Sequence, residues 1–287
     1  MAGEPIDRLE IDANGLTFTA RAAGPRDGRR VLLLHGFPQT SWSWRHVLSA
    51  LGDEGYRAVA PDQRGYSVGA RPPDVADYGL ECLVSDVLAL ADCMEMDTFD
   101  LVGHDWGGLL SWVVAARRPE RVRSLGVVST PHPLALRHAI LREDPAQAAK
   151  AGDMDAFYEP ETPERMLLGA DGSGSGLYRL LADSGLDASH AGEYLDAFTA
   201  PGALTGPLNW YRAMGEADLS GLPPVRVPTL YVWSTGDAAL RRPAAEASSR
   251  YVAAPYTFEV LEGVNHWIPE MAPQELARLL ISHLAAH

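Results

Sequence analysis

Short, uninterrupted apolar runs alternate along this chain with longer segments of helical periodicity. Residues 31–34 read Val-Leu-Leu-Leu and residues 58–60 read Ala-Val-Ala, which suits strands buried on both faces of a parallel sheet. Between residues 80 and 91 the apolar positions recur at i, i+3, i+4, i+7, i+8 and i+11, the spacing of an amphipathic helix. Residues 9–19 alternate around Asn14-Gly15, which predicts a hairpin.

The same alternation continues through the middle of the chain. Residues 98–102 predict a strand, residues 109–116 a helix and residues 122–129 the next strand. Repeated strand–helix units of this kind are typical of an α/β fold, because each helix carries the chain back to begin a parallel neighbour. We therefore predict a mostly parallel, doubly wound sheet.

This rhythm stops after residue 133 and resumes near residue 229. Residues 134–220 are rich in Ala, Asp, Leu and Pro, with helical patches and no convincing strand. The stretch is too long for a loop, so we interpret it as a helical cap above the sheet. The predicted organisation is a core formed by residues 1–133 and 221–287, with residues 134–220 as the cap. Strands at 229–233 and 257–261 and helices at 244–252 and 273–284 complete the core.

Composition and charge exclude several classes of partner. The formal net charge of −14 argues against nucleic acid and anionic membranes, since both need a basic face. No apolar run reaches the ~18–20 residues of a membrane span. The first residues have neither the basic nor the apolar region of a signal peptide. Cys82 and Cys93 fall about 16 Å apart on one predicted helix, too far for a disulfide within it, and we interpret them as buried thiols. A soluble, cytoplasmic protein is expected.

One predicted strand ends in a tight, glycine-rich turn with an acidic residue at its centre. Residues 103–108 read Gly-His-Asp-Trp-Gly-Gly, and their glycines remove the β-carbons that would clash in so tight a connection between a strand and a helix. A strand–turn–helix of this kind, the nucleophile elbow, lifts its central side chain above the end of a parallel sheet. That position usually holds Ser, but here it holds Asp105.

Two further polar residues follow strand ends later in the chain. Asp237 comes after the strand at 229–233, and His266 comes after the strand at 257–261. The carboxyl ends of parallel strands gather at one edge of a sheet, so residues far apart in sequence can meet there. The chain order of nucleophile, acid and histidine is that of the α/β-hydrolases. Asp105, Asp237 and His266 are therefore a candidate catalytic triad.

The chain resembles the α/β-hydrolase fold family along nearly its full length, and within it the epoxide hydrolase branch. The blocks that carry this resemblance are His-Gly-Phe-Pro at 35–38, the elbow at 103–108, Gly-Asp at 236–237, Asn-His-Trp at 265–267 and, within the cap, Gly-Pro-Leu-Asn-Trp-Tyr-Arg at 206–212. The cap block is the most specific, because in epoxide hydrolases it carries a lid tyrosine, which matches Tyr211.

The resemblance implies a cofactor-free hydrolysis of a small, largely apolar electrophile by water. A carboxylate can open an epoxide at carbon and form an ester at Asp105, which a water activated by His266 then hydrolyses. Asp237 would orient the imidazole and stabilise its cation. The family implies that the backbone N–H groups of Phe37 and Trp106 hold the oxyanion, and a helix N-terminus at Trp106 suits this. Tyr211 would donate a proton to the departing epoxide oxygen.

The match is weakest at the first lid tyrosine. Alignment with the family places Asp153 where that tyrosine is expected. Either Asp153 is held protonated by an apolar pocket and donates, or Tyr158 or Tyr178 enters the site instead, or Tyr211 works alone. Asp153 and Trp210 are candidate substrate-binding residues, although core packing explains Trp210 equally well.

Other functions compete with this interpretation. A haloalkane or haloacetate dehalogenase would use the same nucleophile, but the former typically has Asn where Phe37 stands and the latter Arg beside the nucleophile. A non-catalytic ligand-binding protein of this fold is a second alternative, opposed by the intact triad. His132 and His138 lack a Cys or carboxylate partner at ligand spacing, so no metal is expected. Neither a P-loop nor a dinucleotide fingerprint is present.

Overall fold

The protein is built on one eight-stranded sheet with the strand order β1-β2-β4-β3-β5-β6-β7-β8. The computed structural model describes residues 6–152, 154–215 and 217–287. The first two strands pair antiparallel with each other, and β2 pairs antiparallel with β4, whereas all pairs from β4 to β8 are parallel. The predicted α/β fold with a mostly parallel sheet is confirmed. The strands are Asp7–Ala13, Leu16–Ala23, Arg29–Leu34, Tyr56–Pro61, Phe99–His104, Val122–Val128, Thr229–Ser234 and Tyr256–Leu261.

The central strand β5 is buried along its whole length, as are β7 and the apolar part of β3. Continuous apolar sequence is what a strand covered on both faces requires, which explains the runs in the sequence. Leu34 at the end of β3 pairs with Gly103, and His104 pairs with Val128 at the end of β6. The carboxyl ends of these three neighbouring strands therefore meet at one edge, where the predicted site residues follow.

Helices cover both faces of the sheet. On one face α1 packs against α12, and their apolar residues Leu48, Leu51 and Leu280 share one cluster with the strands. On the other face α2 packs against α3, with Leu83 and Trp112 in a second cluster. This placement on both faces is the doubly wound arrangement. The core helices are α1 (Arg45–Asp53), α2 (Leu80–Cys93), α3 (Trp106–Arg117), α10 (Arg242–Ala247), α11 (Ile268–Met271) and α12 (Pro273–Ala286), with short 3₁₀ turns at Ser41–Trp44, Val68–Ala70, Val75–Tyr78 and Ser248–Tyr251.

The described part of the chain between β6 and β7 contains helices joined by turns and loops but no strand, apart from a single bridge between Val225 and Val252. Trp210 ties this insertion to the core, because its indole N–H donates to the Arg64 carbonyl at 2.8 Å. Gly206 lies so close to Gly65 that a β-carbon on Gly206 would stand 2.6 Å from the Gly65 Cα. The division at residues 134 and 220 stays a prediction. The insertion contains α4 (Pro133–His138), a π turn (Ala139–Glu143), α5 (Pro145–Gly152), a 3₁₀ turn (Asp155–Tyr158), α6 (Thr162–Leu168), α7 (Ser175–Asp183), α8 (Ala188–Phe198) and α9 (Thr205–Met214).

The cysteines depart from the expected burial. Both lie on α2 and both are free, but Cys82 is only half-buried and Cys93 is exposed, so the prediction of buried thiols is wrong. The Cys93 thiol donates to the Asp12 carbonyl at 3.1 Å. Among the described helices, none is both long and apolar enough to cross a bilayer. The cytoplasmic location stays a prediction.

Candidate active site

Asp105 occupies a strained turn between β5 and α3, with φ 51° and ψ −119°. Positive φ is uncommon for a residue with a β-carbon and costs energy that the surroundings must offset. Two glycines leave the space. A β-carbon on Gly36 would stand 2.3 Å from the Asp105 Cβ, and one on Gly107 would stand 2.2 Å from the Leu34 carbonyl oxygen. The small residues of the elbow thus let the carboxylate project above the sheet edge.

The Asp105 carboxylate has two different environments at its two oxygens. Oδ1 accepts the Phe37 N–H at 2.8 Å, while Oδ2 lies 3.6 Å from Nε2 of His266. Trp106 begins α3, so its N–H belongs to the first helical turn, where donors lack partners within the helix. Burial alone would raise the pKa of Asp105, but the His266 hydrogen bond and charge outweigh it and lower that pKa. The group is therefore a carboxylate at neutral pH.

His266 sits between two carboxylates. Its Nδ1 lies 2.8 Å from Oδ2 of Asp237, whose other oxygen accepts the N–H groups of Ala239 and Leu240 at 2.8 and 2.9 Å. Burial lowers the proton affinity of the ring, but Asp237 and Asp105 overcome it and raise the pKa of His266 to about 10. In the resting site, His266 is therefore an imidazolium held by Asp237 and facing Asp105.

The loop that carries His266 is anchored through its backbone. The His266 carbonyl oxygen accepts the Ser129 hydroxyl at 3.0 Å and lies 2.9 Å from Nε2 of His104. Burial lowers the pKa of His104 to about 3, so that ring is neutral. His35, also fully buried, accepts the Gln63 N–H at 3.1 Å. Both histidines hold loops around the site.

Tyr211 reaches the site from α9 in the helical insertion. Its buried ring packs edge-on against Trp106, with centroids 4.8 Å apart, and against Phe37 at 5.4 Å. Burial and then the nearby Asp105 carboxylate raise the pKa of its hydroxyl well above the ordinary value, against an opposing hydrogen bond from Trp106. Tyr211 is therefore a phenol that releases its proton only to a strong base.

A cavity of about 340 Å³ lies between the sheet edge and the helical insertion. Asp105, Trp106 and Tyr211 stand on its wall, together with Tyr158, and most of the remaining wall is apolar. Such a space suits a largely apolar molecule with one reactive polar group. Sequence reasoning missed the other lining residues, because neither the helices nor the loops that carry them show in the sequence which side chains face the cavity. They are Leu109, Thr130, Leu136, Ile140, Gln147, Lys150, Ala151, Met154, Met214, Leu219, Ala239 and Leu240.

The residues considered for the place of the first lid tyrosine lie in different surroundings. Tyr158 lines the cavity, and its ring centroid lies 6.4 Å from that of Tyr211. Tyr178 is 42% exposed and does not belong to the cavity wall. Asp153 lies outside the described residues. Trp210 stands behind the wall, edge-on to Trp106 at 6.1 Å, and a role for it in substrate binding stays a prediction.

No group of three or more His, Cys, Asp or Glu side chains within the described ranges could hold a metal ion. The His132 ring stacks on Tyr251 at 4.6 Å, and burial lowers its pKa to about 3. The polar groups gathered at the sheet edge include the carboxylates of Asp105 and Asp237 and the imidazole of His266.

Comparison with known proteins finds relatives of the α/β-hydrolase fold, several of them named epoxide hydrolases. A family model described as "alpha/beta hydrolase fold" matches residues 29–273. The chain is 35% identical to epoxide hydrolase 4 of Mus musculus, over 96% of this chain and 78% of that protein. It is 32% identical to epoxide hydrolase A of Mycobacterium tuberculosis, over 98% of each chain. The crystal structure of epoxide hydrolase A from Mycobacterium thermoresistibile superposes with a TM-score of 0.83 at 27% identity, covering 98% of both chains.

Proposed function

Since the chain belongs to the α/β-hydrolase fold family and to its epoxide hydrolase branch, we propose that it hydrolyses an epoxide to a vicinal diol through an ester at Asp105. It would act as a hydrolase on an ether bond, with water and a small, largely apolar epoxide as substrates. The observation that carries this proposal is one half-buried carboxylate, Asp105, which borders a largely apolar cavity between a protonated histidine and a phenol.

In the first step, Oδ2 of Asp105 attacks a ring carbon of the epoxide. A bond forms between Oδ2 and that carbon, the carbon–oxygen bond of the ring breaks, and the departing oxygen takes the proton of Tyr211. The raised pKa of Tyr211 means that only a strong base can take its proton, and an alkoxide is such a base. Phe37 holds Oδ1 throughout, so the attacking oxygen is already oriented.

Ester formation removes one of the two negative charges that hold the proton on His266. With Asp105 neutral, the pKa of His266 falls, and the imidazolium can return a proton to the Tyr211 phenolate. Neutral His266 is then a base that takes a proton from water as the water oxygen attacks Cγ of the ester. The charge that develops on Oδ1 meets the Phe37 N–H, and the Trp106 N–H would be the second donor. As the carbon–oxygen bond of the ester breaks, His266 gives its proton to the departing diol oxygen. The Asp105 carboxyl, which still carries the second proton of the water, then passes that proton to His266, which restores the carboxylate and the imidazolium.

Tyr158 is the candidate for a second proton donor. Tyr158 is 45% exposed and Tyr178 42%, but Tyr158 lines the cavity together with Tyr211, whereas Tyr178 does not. The pKa of Tyr158 is raised by burial, so it too keeps its proton at neutral pH.

A single turnover in ¹⁸O-labelled water tests the ester step, with styrene oxide as probe and enzyme in excess. We expect diol formation with the label in Asp105 and not in the first diol molecule, because water attacks the carboxyl carbon. Label in the first diol would show direct attack of water on the ring and would contradict the proposal. Asp105→Ala should form no diol. Turnover of haloalkanes but of no epoxide would favour a dehalogenase, and a folded protein inert to both would favour ligand binding.

A further inference from the structure

A chain of four buried side chains links the helical insertion to the reacting groups. Tyr194 of α8 donates its hydroxyl to Oε1 of Glu270 in α11 at 2.5 Å, and Nε2 of Gln39 donates to the same oxygen at 2.7 Å. Oε1 of Gln39 lies 2.8 Å from Nδ1 of His104. None of these four residues is more than 5% exposed.

The inner end of this chain touches two parts of the site. Oε1 of Gln39 also accepts the N–H of Gly36 at 3.0 Å, next to Phe37, whose own N–H binds Asp105. The other nitrogen of the His104 ring lies 2.9 Å from the carbonyl oxygen of His266. Gln39 therefore contacts the loop that carries Phe37 directly, through Gly36. It contacts the loop that carries His266 indirectly, through the His104 ring.

Glu270, together with the Gly36 N–H, decides which way the Gln39 amide points. An amide could in principle present either its oxygen or its nitrogen to a neighbour, and its hydrogen-bond partners determine the choice. Oε1 of Glu270 accepts, so it takes the Gln39 N–H, and the Gln39 oxygen must then face Gly36 and His104. This leaves Oε2 of Glu270 without a hydrogen-bond partner among the described residues. A buried carboxyl oxygen without a partner costs stability, so stability alone does not account for the arrangement.

We propose that Gln39 is a positioning residue for hydrolysis of the ester, with its amide fixed by Glu270. It holds the Phe37 N–H, through Gly36, and the His266 backbone, through His104, at the spacing that the second step needs. The role presupposes the Asp105 ester proposed above. Ester formation needs chiefly the carboxylate, whereas ester hydrolysis needs the oxyanion donor and the base together, so loss of the positioning slows the second step more than the first.

Exchanging the amide and the carboxyl along this chain tests the proposal. Gln39→Glu puts a second carboxyl 2.7 Å from the first, and the two repel when both are ionised. Glu270→Gln is the matched control, because its amide oxygen still accepts from Gln39 and Tyr194. The double variant Gln39→Glu/Glu270→Gln again pairs one carboxyl with one amide and should restore the arrangement.

The pH dependence of the Gln39→Glu variant has a definite sign. Burial raises the pKa of Glu270, and a second carboxyl beside it disfavours ionisation further, so the pair shares a proton in acid and loses it as the pH rises. The charged or titratable groups that face this pair of side chains are Tyr194 and His190 of α8, Arg45 of α1, and His104, whose Nδ1 lies 2.8 Å from the Gln39 oxygen. All four are present in every variant, so the difference between variants reports the new carboxyl and its effect on them.

Mass spectrometry of the steady state with styrene oxide gives the first readout. In mildly alkaline buffer, Gln39→Glu should hydrolyse its ester more slowly, on the order of 10²-fold, so that esterified protein accumulates and kcat and KM fall together. In mildly acidic buffer the effect should shrink, and the double variant should behave like wild type at both pH values. Equal ester fractions in all variants beside an active wild type would overturn the proposal, even if the melting temperatures differ.

A second readout does not depend on turnover. The backbone amide ¹H–¹⁵N signals of Gly36 and Phe37 should move in Gln39→Glu at alkaline pH and return in the double variant. If the wild type turned over no epoxide, the proposed function would be contradicted. The Gly36 and Phe37 signals would still show whether Gln39 positions the Phe37 N–H. Signals that are the same in all variants would contradict this positioning.

Discussion

Replacing Asp105 by Asn should release the proton of His266 at neutral pH. In the resting enzyme, burial disfavours the imidazolium, but the Asp237 and Asp105 carboxylates raise the pKa of His266 to about 10. Nε2 lies 3.6 Å from Oδ2 of Asp105. At an effective dielectric constant of ~20, one charge at that distance contributes about 5 kcal/mol, or roughly three powers of ten in proton affinity. Loss of the Asp105 charge therefore returns the pKa of His266 to that of an ordinary histidine. Asn has the shape of Asp and keeps an oxygen for the Phe37 N–H, so it imitates the neutral ester.

NMR titration of ¹⁵N-labelled histidine side chains in wild type and Asp105→Asn measures this change. His104 and His132, whose pKa values burial lowers to about 3, should stay neutral in both proteins and serve as internal references. The same affinity makes stability depend on pH. The raised pKa stabilises the folded state fully below about pH 6.5, and this contribution, about 5 kcal/mol, is lost as the pH rises through about 10. Urea unfolding should show a flatter pH profile in Asp105→Asn. An imidazolium that persists to the same pH in the variant would refute the reasoning.

Three further outcomes are expected. Tyr211→Phe should lower kcat/KM for an epoxide by about 10²–10⁴-fold through loss of the proton donor, whereas the exposed Tyr178→Phe should leave steady-state kinetics unchanged. Gly36→Ala should abolish diol formation and lower the melting temperature in calorimetry, because its β-carbon would stand 2.3 Å from that of Asp105; an active, equally stable variant would contradict the geometry. Asp86→Asn should lower the free energy of unfolding, measured by urea titration, by about 3–5 kcal/mol, because the buried Arg64 guanidinium loses its carboxylate partner at 2.6 Å. A measured loss below about 1 kcal/mol would contradict this prediction.

The α/β fold, and the meeting of Asp105, Asp237 and His266 at one sheet edge, could be predicted because those features depend on local patterns. Apolar runs show which segments are buried on both faces, and the glycines around Asp105 show where a strand must turn sharply. The prediction that Cys93 is buried was wrong, although the hydrophobic pattern of the helix indicates its exposure. Cys93 lies off the apolar face of α2 that Leu80, Leu83 and Val87 define, so helical periodicity places it toward solvent.

Features that depend on packing between distant segments were not predictable. Tyr158 and Trp210 have similar aromatic character, yet one lines the cavity and the other lies behind its wall, because the insertion packs on the core in one particular orientation. Glu270 is an acidic residue that sequence reasoning would leave in solvent. It is buried because Gln39 and Tyr194, which lie more than 70 residues away, donate to it.

The central claim is that Asp105 forms an ester with an epoxide, and intact-protein mass spectrometry of His266→Gln tests it most directly. Without the base, ester formation should continue while hydrolysis stalls, so the protein should gain the mass of the whole epoxide. The gain should vanish in the double variant Asp105→Ala/His266→Gln. A folded His266→Gln protein that gains no mass would contradict the account. A gain of a haloalkane minus hydrogen halide, with none from epoxides, would assign the chain to dehalogenation instead.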